Sequence, residues 1–200
     1  GQAVSDHDQD ELGRRHHLPP RSEDAERSTL GAIMIDNGAL QRAREILAAA
    51  DFYREPHRLI FLAMGTLSEQ ATAIDPVTVN AELSRAGHPE TVGGPAYIAS
   101  LLDGVPHSSN VEHYARIVKE KSTLRRLIQA GQKLVREGLA QEKNAEVLLG
   151  DATGEIFDIA EDSVRGGFTS IGQIVKHNLD VIEDARNRQG MLSGLATGFT

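Results

Sequence analysis

The side chains best suited to acid–base or metal chemistry in this sequence are its eight histidines, since the 200 residues contain no cysteine. No two of them follow the His-x-x-x-His spacing that places two imidazoles on one helix face for a metal ion. His16-His17, beside two arginines, would suit a metal or nucleic acid, but polar tails often carry such residues without a role. His57 falls on the inner edge of an amphipathic pattern, which favours a core histidine over a catalytic base. The histidines are His7, His16, His17, His57, His88, His107, His113 and His177.

A pair of glycines is the other feature that could indicate a binding site, in this case for phosphate. Gly93-Gly94 precedes a helical pattern, as a phosphate-binding loop would, but no strand precedes it and no Lys-Ser/Thr pair follows. A tight turn before a helix that starts at Pro95 is the better interpretation. We therefore predict no catalytic, cofactor-binding or metal-binding residue in this chain. A self-contained enzyme is the alternative, and it would need a deep pocket lined by ionisable groups with perturbed pKa values.

The composition indicates a helical protein. Apolar residues make up 40% of the chain but aromatic residues only 4%, so the core must be built mainly from Leu, Ile, Val and Ala. The sequence has neither a long uninterrupted apolar stretch nor a secretory signal, so we expect a cytoplasmic protein without a membrane partner. The net charge of −8 argues against a domain that grips nucleic acid by itself, because such domains carry a basic face.

Helix-start signals divide the first half of the chain into short helices. Residues 1–19 are polar and aperiodic, and we predict a disordered tail there. Ser22 is a candidate N-cap, Asp36-Asn37-Gly38 is a break, and Asp75-Pro76 starts a helix that Gly87 ends. We predict a globular head of packed helices over residues 20–105.

A capping box, Ser109 with Glu112, opens a helix whose apolar stripe runs to Gly138, longer than one small core needs. A second helix begins after Asn144, and the short connection makes the two helices antiparallel neighbours. We therefore predict a helical hairpin over residues 109–164. The residues predicted to form an interface on it are Tyr114, Ile117, Leu124, Leu127, Ile128, Leu148, Ile156 and Ile159.

The two arms of this hairpin differ in charge. Residues 111–138 hold seven basic and three acidic residues, whereas residues 139–165 hold two basic and seven acidic ones. Opposite charges suit pairing within the hairpin or between the hairpins of two subunits. Two solvated faces that differ by chance, and a basic arm that contacts nucleic acid, are the alternatives.

A further amphipathic helix is predicted after the glycine-rich segment at residues 165–170. A single helix of this length is marginal in water, so its apolar side must pack against a partner surface. The residues predicted to make that contact are Ile171, Ile174, Val175, Leu179 and Ile182. The predicted fold class is all-α: a small globular helical bundle, a long antiparallel hairpin and a separate linker helix.

Six segments in order closely resemble the N-terminal half of bacterial DnaB-type replicative DNA helicases. The resemblance runs from about residue 20 to residue 200. The segments are AERSTLGAIM (25–34), DFYREPHRLIFLAM (51–64), DPVTV (75–79), VGGPAYIASL (92–101), YARIVKEKSTLRRLI (114–128) and EIFDIAE (155–161).

The resemblance implies a helicase N-terminal domain over residues 20–165, with a linker helix and the start of a connector over residues 166–200. In the family the hairpin dimerises, and the N-terminal domains form a collar on a hexameric ring. This collar is where the DnaG-type primase binds and, in some systems, the helicase loader. The linker helix docks on a neighbouring subunit.

The resemblance also implies an ATP- and Mg²⁺-dependent 5′–3′ helicase that works at replication forks. Its RecA-like ATPase domain, which makes the main contact with single-stranded DNA, is expected beyond residue 200. These 200 residues should then bind no cofactor and be inactive alone. A free-standing helical DNA-binding or interaction protein is the alternative.

Overall fold

The computed structural model describes residues 18–88, 91–103, 105 and 110–165. Every regular element in these ranges is helical, which confirms the predicted all-α class. The predicted N-terminal tail up to residue 17 and the predicted linker helix lie outside the described residues. The head contains five α-helices and one 3₁₀ turn. They are α1 (Glu23–Ile35), α2 (Ala39–Arg44), the 3₁₀ turn (Ala49–Asp51), α3 (Glu55–Glu69), α4 (Pro76–Arg85) and α5 (Gly94–Ser100).

Side-chain caps start two of these helices where the sequence predicts them. Ser22 Oγ accepts a hydrogen bond from the backbone N–H of Ala25 at 3.3 Å, which satisfies a free donor in the first turn of α1. Asp75 accepts bonds from the N–H groups of Val77 and Thr78, and Thr78 Oγ1 accepts one back from the Asp75 N–H. This reciprocal capping box fixes the start of α4.

The predicted break at Asp36-Asn37-Gly38 separates α1 from α2. The Asn37 side chain does more than end a helix. Its amide donates to the Ile33 and Ile74 carbonyls at 3.0 and 2.8 Å, and its Oδ1 accepts from the Ile74 N–H at 2.8 Å. Asn37 therefore ties the end of α1 to the segment that leads into α4.

Gly93 and Gly94 form the predicted tight turn, with Gly93 as the N-cap and Gly94 as the first residue of α5. Both have positive φ angles, 81° and 76°, in the left-handed region that favours glycine. Pro95 lies in the first turn of α5, where its missing N–H has no cost. The glycine pair thus serves backbone geometry.

The core of the head lies among α1, α3, α4 and α5 and is closed by the start of a long sixth helix, α6 (Val111–Ala140). Val111, Ala115 and Val118 of α6 are buried with the core residues of the head. The long helix is therefore part of the head over its first turns and leaves it afterwards. The largest fully buried apolar side chains are Leu30, Ile33, Leu40, Phe52, Ile60, Met64, Leu83, Ile98 and Leu101.

A candidate assembly surface on the helical hairpin

Helix α6 and the next helix, α7 (Ala145–Arg165), form the antiparallel hairpin. With 30 residues at 1.5 Å each, α6 is about 45 Å long. The helix continues past Gly138, where the predicted apolar stripe ends, to Ala140, and it ends where Gln141 adopts a left-handed φ of 55°. Asn144 Oδ1 then accepts from the Val147 N–H at 2.9 Å and caps α7. Ser109, half of the predicted capping box, lies outside the described residues.

Ion pairs connect the two arms along their length. Arg126 and Lys119 both donate to Asp162 Oδ2, at 2.6 and 2.8 Å, and Lys133 donates to Glu155 at 2.8 Å. The opposite charges of the arms are therefore used, at least in part, within the hairpin. The Arg126–Asp162 and Lys133–Glu155 pairs are exposed and contribute at most about 1 kcal/mol each, so they fix the register of the arms more than they stabilise the hairpin.

The protonation of these groups follows from their partners. Burial alone would raise the pKa of Asp162, but the hydrogen bond and charge of Lys119, together with Arg126, outweigh it and lower that pKa. The hydrogen bond to Glu155 raises the pKa of Lys133. Near the turn, Lys143 lowers the pKa of Asp151 through the hydrogen bond that it donates. Asp162, Lys133 and Asp151 therefore stay charged at neutral pH.

A buried charge cluster joins the hairpin to the head. Lys119 Nζ lies 3.3 and 3.1 Å from the two carboxylate oxygens of Asp51, and Ser122 Oγ donates to Asp51 Oδ1 at 2.7 Å. Arg125 adds bonds to the carbonyls of Pro20 and Asp51. Lys119 is one of the seven basic residues counted in the basic arm, but only 3% of it is exposed. No local signal marks it, since Asp51 is 68 positions away.

Beyond this joint, the hairpin exposes large apolar side chains. Eleven of the fifteen exposed large hydrophobic residues in the described part of the chain lie on α6 and α7. The exposed residues on α6 are Leu124, Leu127, Ile128, Leu134, Val135 and Leu139, and those on α7 are Val147, Leu149, Ile156, Phe157 and Val164. A hairpin that exposes this many large apolar side chains to water is typical of a protein–protein interface.

A cleft of about 110 Å³ lies between the two arms, toward the tip of the hairpin. Its apolar lining includes Leu127, Leu134, Leu148 and Ile156, with Gly131 as a small residue beside them. A methyl group added at Gly131 would touch nothing within 4 Å in this chain. The cleft is therefore a place where the two arms leave room for an apolar side chain.

The predicted interface residues occupy three different environments. Leu124, Leu127, Ile128 and Ile156 are between 39% and 47% exposed. Tyr114, Ile117 and Leu148 are half-buried, and Ile117 packs against the core of the head. Ile159 is only 4% exposed and is covered within the chain itself. The linker-helix residues Ile171, Ile174, Val175, Leu179 and Ile182 lie outside the described residues.

Several residues of the exposed surface were not among the predicted interface residues. Phe157 is 50% exposed and Leu149 68%, and both extend the apolar surface along α7. An aromatic residue exposed on a charged helix was the available signal, because the chain has only five phenylalanines. The other exposed apolar residues outside the predicted interface set are Leu134, Val135, Leu139, Val147 and Val164.

His57 is a buried structural residue, as the pattern indicates. Its Nδ1 lies 2.5 Å from Glu26 Oε2 and its Nε2 lies 2.7 Å from the Tyr97 hydroxyl. Glu26 also accepts from the Tyr53 N–H at 2.6 Å. Because a carboxylate only accepts hydrogen bonds, Nδ1 carries the proton that points to Glu26. This chain of bonds joins α1, α3 and α5 inside the head.

Across residues 18–88, 91–103, 105 and 110–165, no group of three or more His, Asp and Glu side chains is placed to hold a metal ion. In the same ranges, no helix has the length and apolar character needed to cross a membrane.

Comparisons with known proteins agree with this architecture. The family described as DnaB-like helicase N terminal domain matches residues 18–120. The replicative DNA helicase DnaB of Geobacillus stearothermophilus is 42% identical over 183 residues, which are 92% of this chain but 40% of that relative. The chain thus spans well under half the length of this relative.

Solved structures extend the comparison. The N-terminal domain of DnaB helicase from Mycobacterium tuberculosis is similar at a TM-score of 0.67 and 38% identity, over 70% of this chain and 99% of that one. A DnaB-like replicative helicase whose structure was described with its interactions with primase is similar at a TM-score of 0.54. At 19% identity, over 80% of this chain and 35% of that one, the second likeness shows the fold alone.

The resemblance seen in the six sequence segments is confirmed. The family match covers just over half of the chain, and the mycobacterial domain aligns over nearly its whole length. The chain therefore belongs to the DnaB-like helicase N-terminal domain family.

Proposed function

We propose that this chain is the assembly and docking part of a hexameric replicative DNA helicase, and that its hairpin pairs with the hairpin of a second copy. The observation that carries the proposal is the exposed apolar surface of α6 and α7. The 42% identity to a replicative DNA helicase from Geobacillus supports the proposal that the complete protein is a replicative helicase.

A second copy is the partner that best matches this surface. The charged side of the hairpin is occupied by its own ion pairs, so the apolar side is the surface left for a partner. Two such hairpins related by a twofold axis would bury the same side chains on both subunits in a four-helix arrangement.

Sedimentation equilibrium of the 200-residue chain tests the pairing. We expect dimers that Leu124→Glu converts largely to monomers, because a carboxylate would be buried in an apolar interface. Leu62→Glu is the matched control, since Leu62 is an exposed leucine within helix α3 of the head. A monomeric wild type at high concentration, or equal loss of dimer in both variants, would contradict the proposal.

A second part of the proposal is that the same domain binds a DnaG-type primase and, in some systems, a helicase loader. The support is the fold shared with a helicase described with its interactions with primase. The test is biolayer interferometry between this chain and the primase of the same organism. We expect saturable binding. No binding at a primase concentration of about 100 μM, at which even weak specific complexes are detected, would contradict this part of the proposal.

The remaining activities belong to the proposed complete protein. We place ATP and Mg²⁺ binding, 5′–3′ unwinding and most contacts with single-stranded DNA in a RecA-like domain outside these residues, in a cytoplasmic protein acting at replication forks. We also propose that residues 171 to about 188 form the linker helix that docks on a neighbouring subunit. An ATP-hydrolysis assay should show activity for the complete protein and none for these 200 residues.

A further inference from the structure

A cavity of about 440 Å³ lies where the head meets the hairpin. It is formed between the 3₁₀ turn and α3 on one side and α6 and α7 on the other. We call it the joint cavity. The polar residues that line it are Asp51, Arg58, Ser122, Arg125, Arg126, Gln129 and Asp162. None of the exposed apolar residues proposed for the pairing lines this cavity.

The three arginines of the joint cavity are held in place by the protein. Arg58 Nε donates to the Phe52 carbonyl at 2.6 Å. Arg125 donates to two carbonyl oxygens at 2.7 and 2.6 Å, and Arg126 to Asp162 at 2.6 Å. A guanidinium has five N–H groups, so each arginine keeps donors beyond these bonds. Fixed guanidinium groups lose little entropy when they bind a further acceptor.

The carboxylates of the cavity already have cationic partners. Asp51 pairs with Lys119, and Asp162 is shared by Lys119 and Arg126. Arg58 and Arg125 make their hydrogen bonds to neutral carbonyl groups instead. Positive charge therefore exceeds negative charge among the groups that face the cavity, even though the whole chain carries a net charge of −8.

Arg58 and Arg125 also oppose one another. Burial lowers the pKa of Arg125, and the like charge of Arg58 acts in the same direction, while Glu26 and Asp51 act against it. An anion between these two guanidinium groups would relieve the repulsion and accept hydrogen bonds from both.

We propose that the joint cavity binds a phosphate group. Guanidinium groups match the oxygens of phosphate in charge and in bidentate geometry. Ser122 and Gln129 supply neutral polar groups at the same place. The phosphate can come from a free small molecule or from the backbone of a nucleic acid, and both present the same anionic oxygens.

Isothermal titration calorimetry of the whole chain with inorganic pyrophosphate, at constant ionic strength, tests the proposal. Gln129 is the residue to change, because it is exposed and its side chain makes no hydrogen bond within the described ranges. Gln129→Glu places a negative charge in the cavity and should weaken binding by about tenfold. Gln129→Lys should strengthen it. Gln41→Glu, an exposed glutamine of α2 outside the cavity, is the control for the change in net charge.

The expected result is one pyrophosphate per chain, opposite effects of the two Gln129 variants, and unchanged binding by the Gln41 control. No binding by the wild type, or equal weakening by both glutamate variants, overturns the proposal. Thermal melting of each variant confirms that it is folded. Competition by a 12-nucleotide single strand then assigns the phosphate: displacement of pyrophosphate indicates a nucleic-acid backbone, and no displacement indicates a free phosphorylated molecule.

Discussion

The ammonium group of Lys119 lies 3.1 Å from Oδ2 of Asp51, and this contact fixes the hairpin to the head. Their side chains are only 4% and 6% exposed, so the pair is almost fully removed from water. The hairpin is therefore held at its base by a buried charge pair, and the apolar surface farther along α6 is presented by a rigid element.

Replacing Lys119 with methionine should destabilise the chain strongly. The change leaves the Asp51 carboxylate buried without its cation, and breaking a buried pair in this way costs about 3 kcal/mol. The free energy of unfolding from urea denaturation measures the loss. Lys121→Met on the same helix is the control, since Lys121 is 33% exposed. A loss below about 1 kcal/mol, the value of an exposed pair, would show that the buried contact is weak.

The stability that Asp162 contributes should depend on pH. The pKa of Asp162 is lower in the folded chain than its ordinary value, so its contribution is present above about pH 4, the unfolded value. It is lost as the pH falls through the folded pKa. We expect Asp162→Asn to be less stable than the wild type at pH 7 and equally stable at the lowest pH at which both remain folded. Urea denaturation across this range, with Asp158→Asn as the control, measures the difference, and a constant difference would contradict the prediction.

Replacing Gly31 with alanine should destabilise the head, although alanine is the better helix former. A Cβ atom at Gly31 would lie 2.2 Å from the carbonyl oxygen of Leu101 and 2.5 Å from Cγ2 of Val105. Because one of these atoms is backbone, α1 must move away, at a cost of about 2 kcal/mol. Thermal and urea denaturation report the change, and an unchanged midpoint would mean that the segment after α5 yields easily.

Replacing Gly131 with alanine should instead stabilise the chain against unfolding. A Cβ atom there meets nothing within 4 Å in this chain, so the gain of helix propensity remains, about 0.5–1 kcal/mol. The measurement is urea denaturation at a concentration low enough for the chain to be monomeric. A loss of stability under these conditions would show that the cleft between the arms closes on Gly131 in solution.

Most of the fold could be predicted from the sequence because its signals are local. The caps at Ser22 and Asp75, the break at Asp36-Asn37-Gly38 and the left-handed glycines at 93 and 94 each act within a few residues of the chain. The end of α6 could not be placed from Gly138, because a glycine inside a long packed helix is tolerated and the chain turns at Gln141 instead.

The candidate surface could be predicted only as a stripe. The periodicity identified apolar positions on α6 and α7 but not which of them would be covered. Ile159 is buried within the chain, whereas Ile128, from the same set, is 47% exposed. This difference depends on how the arms pack against each other and against the head, and no window of sequence contains that packing.

The sequence by itself therefore determined most of the helices in the described ranges, the hairpin and the family, since these follow from capping chemistry, apolar periodicity and ordered motifs. Only the tertiary structure decided the environment of single charged groups. Lys119 is buried because Asp51 and Asp162, 68 and 43 positions away, meet it at one point. The same packing brings the charge of Arg58 close enough to act on Arg125. The position of a charged group in space depends on the whole fold, and its neighbours in the chain do not determine it.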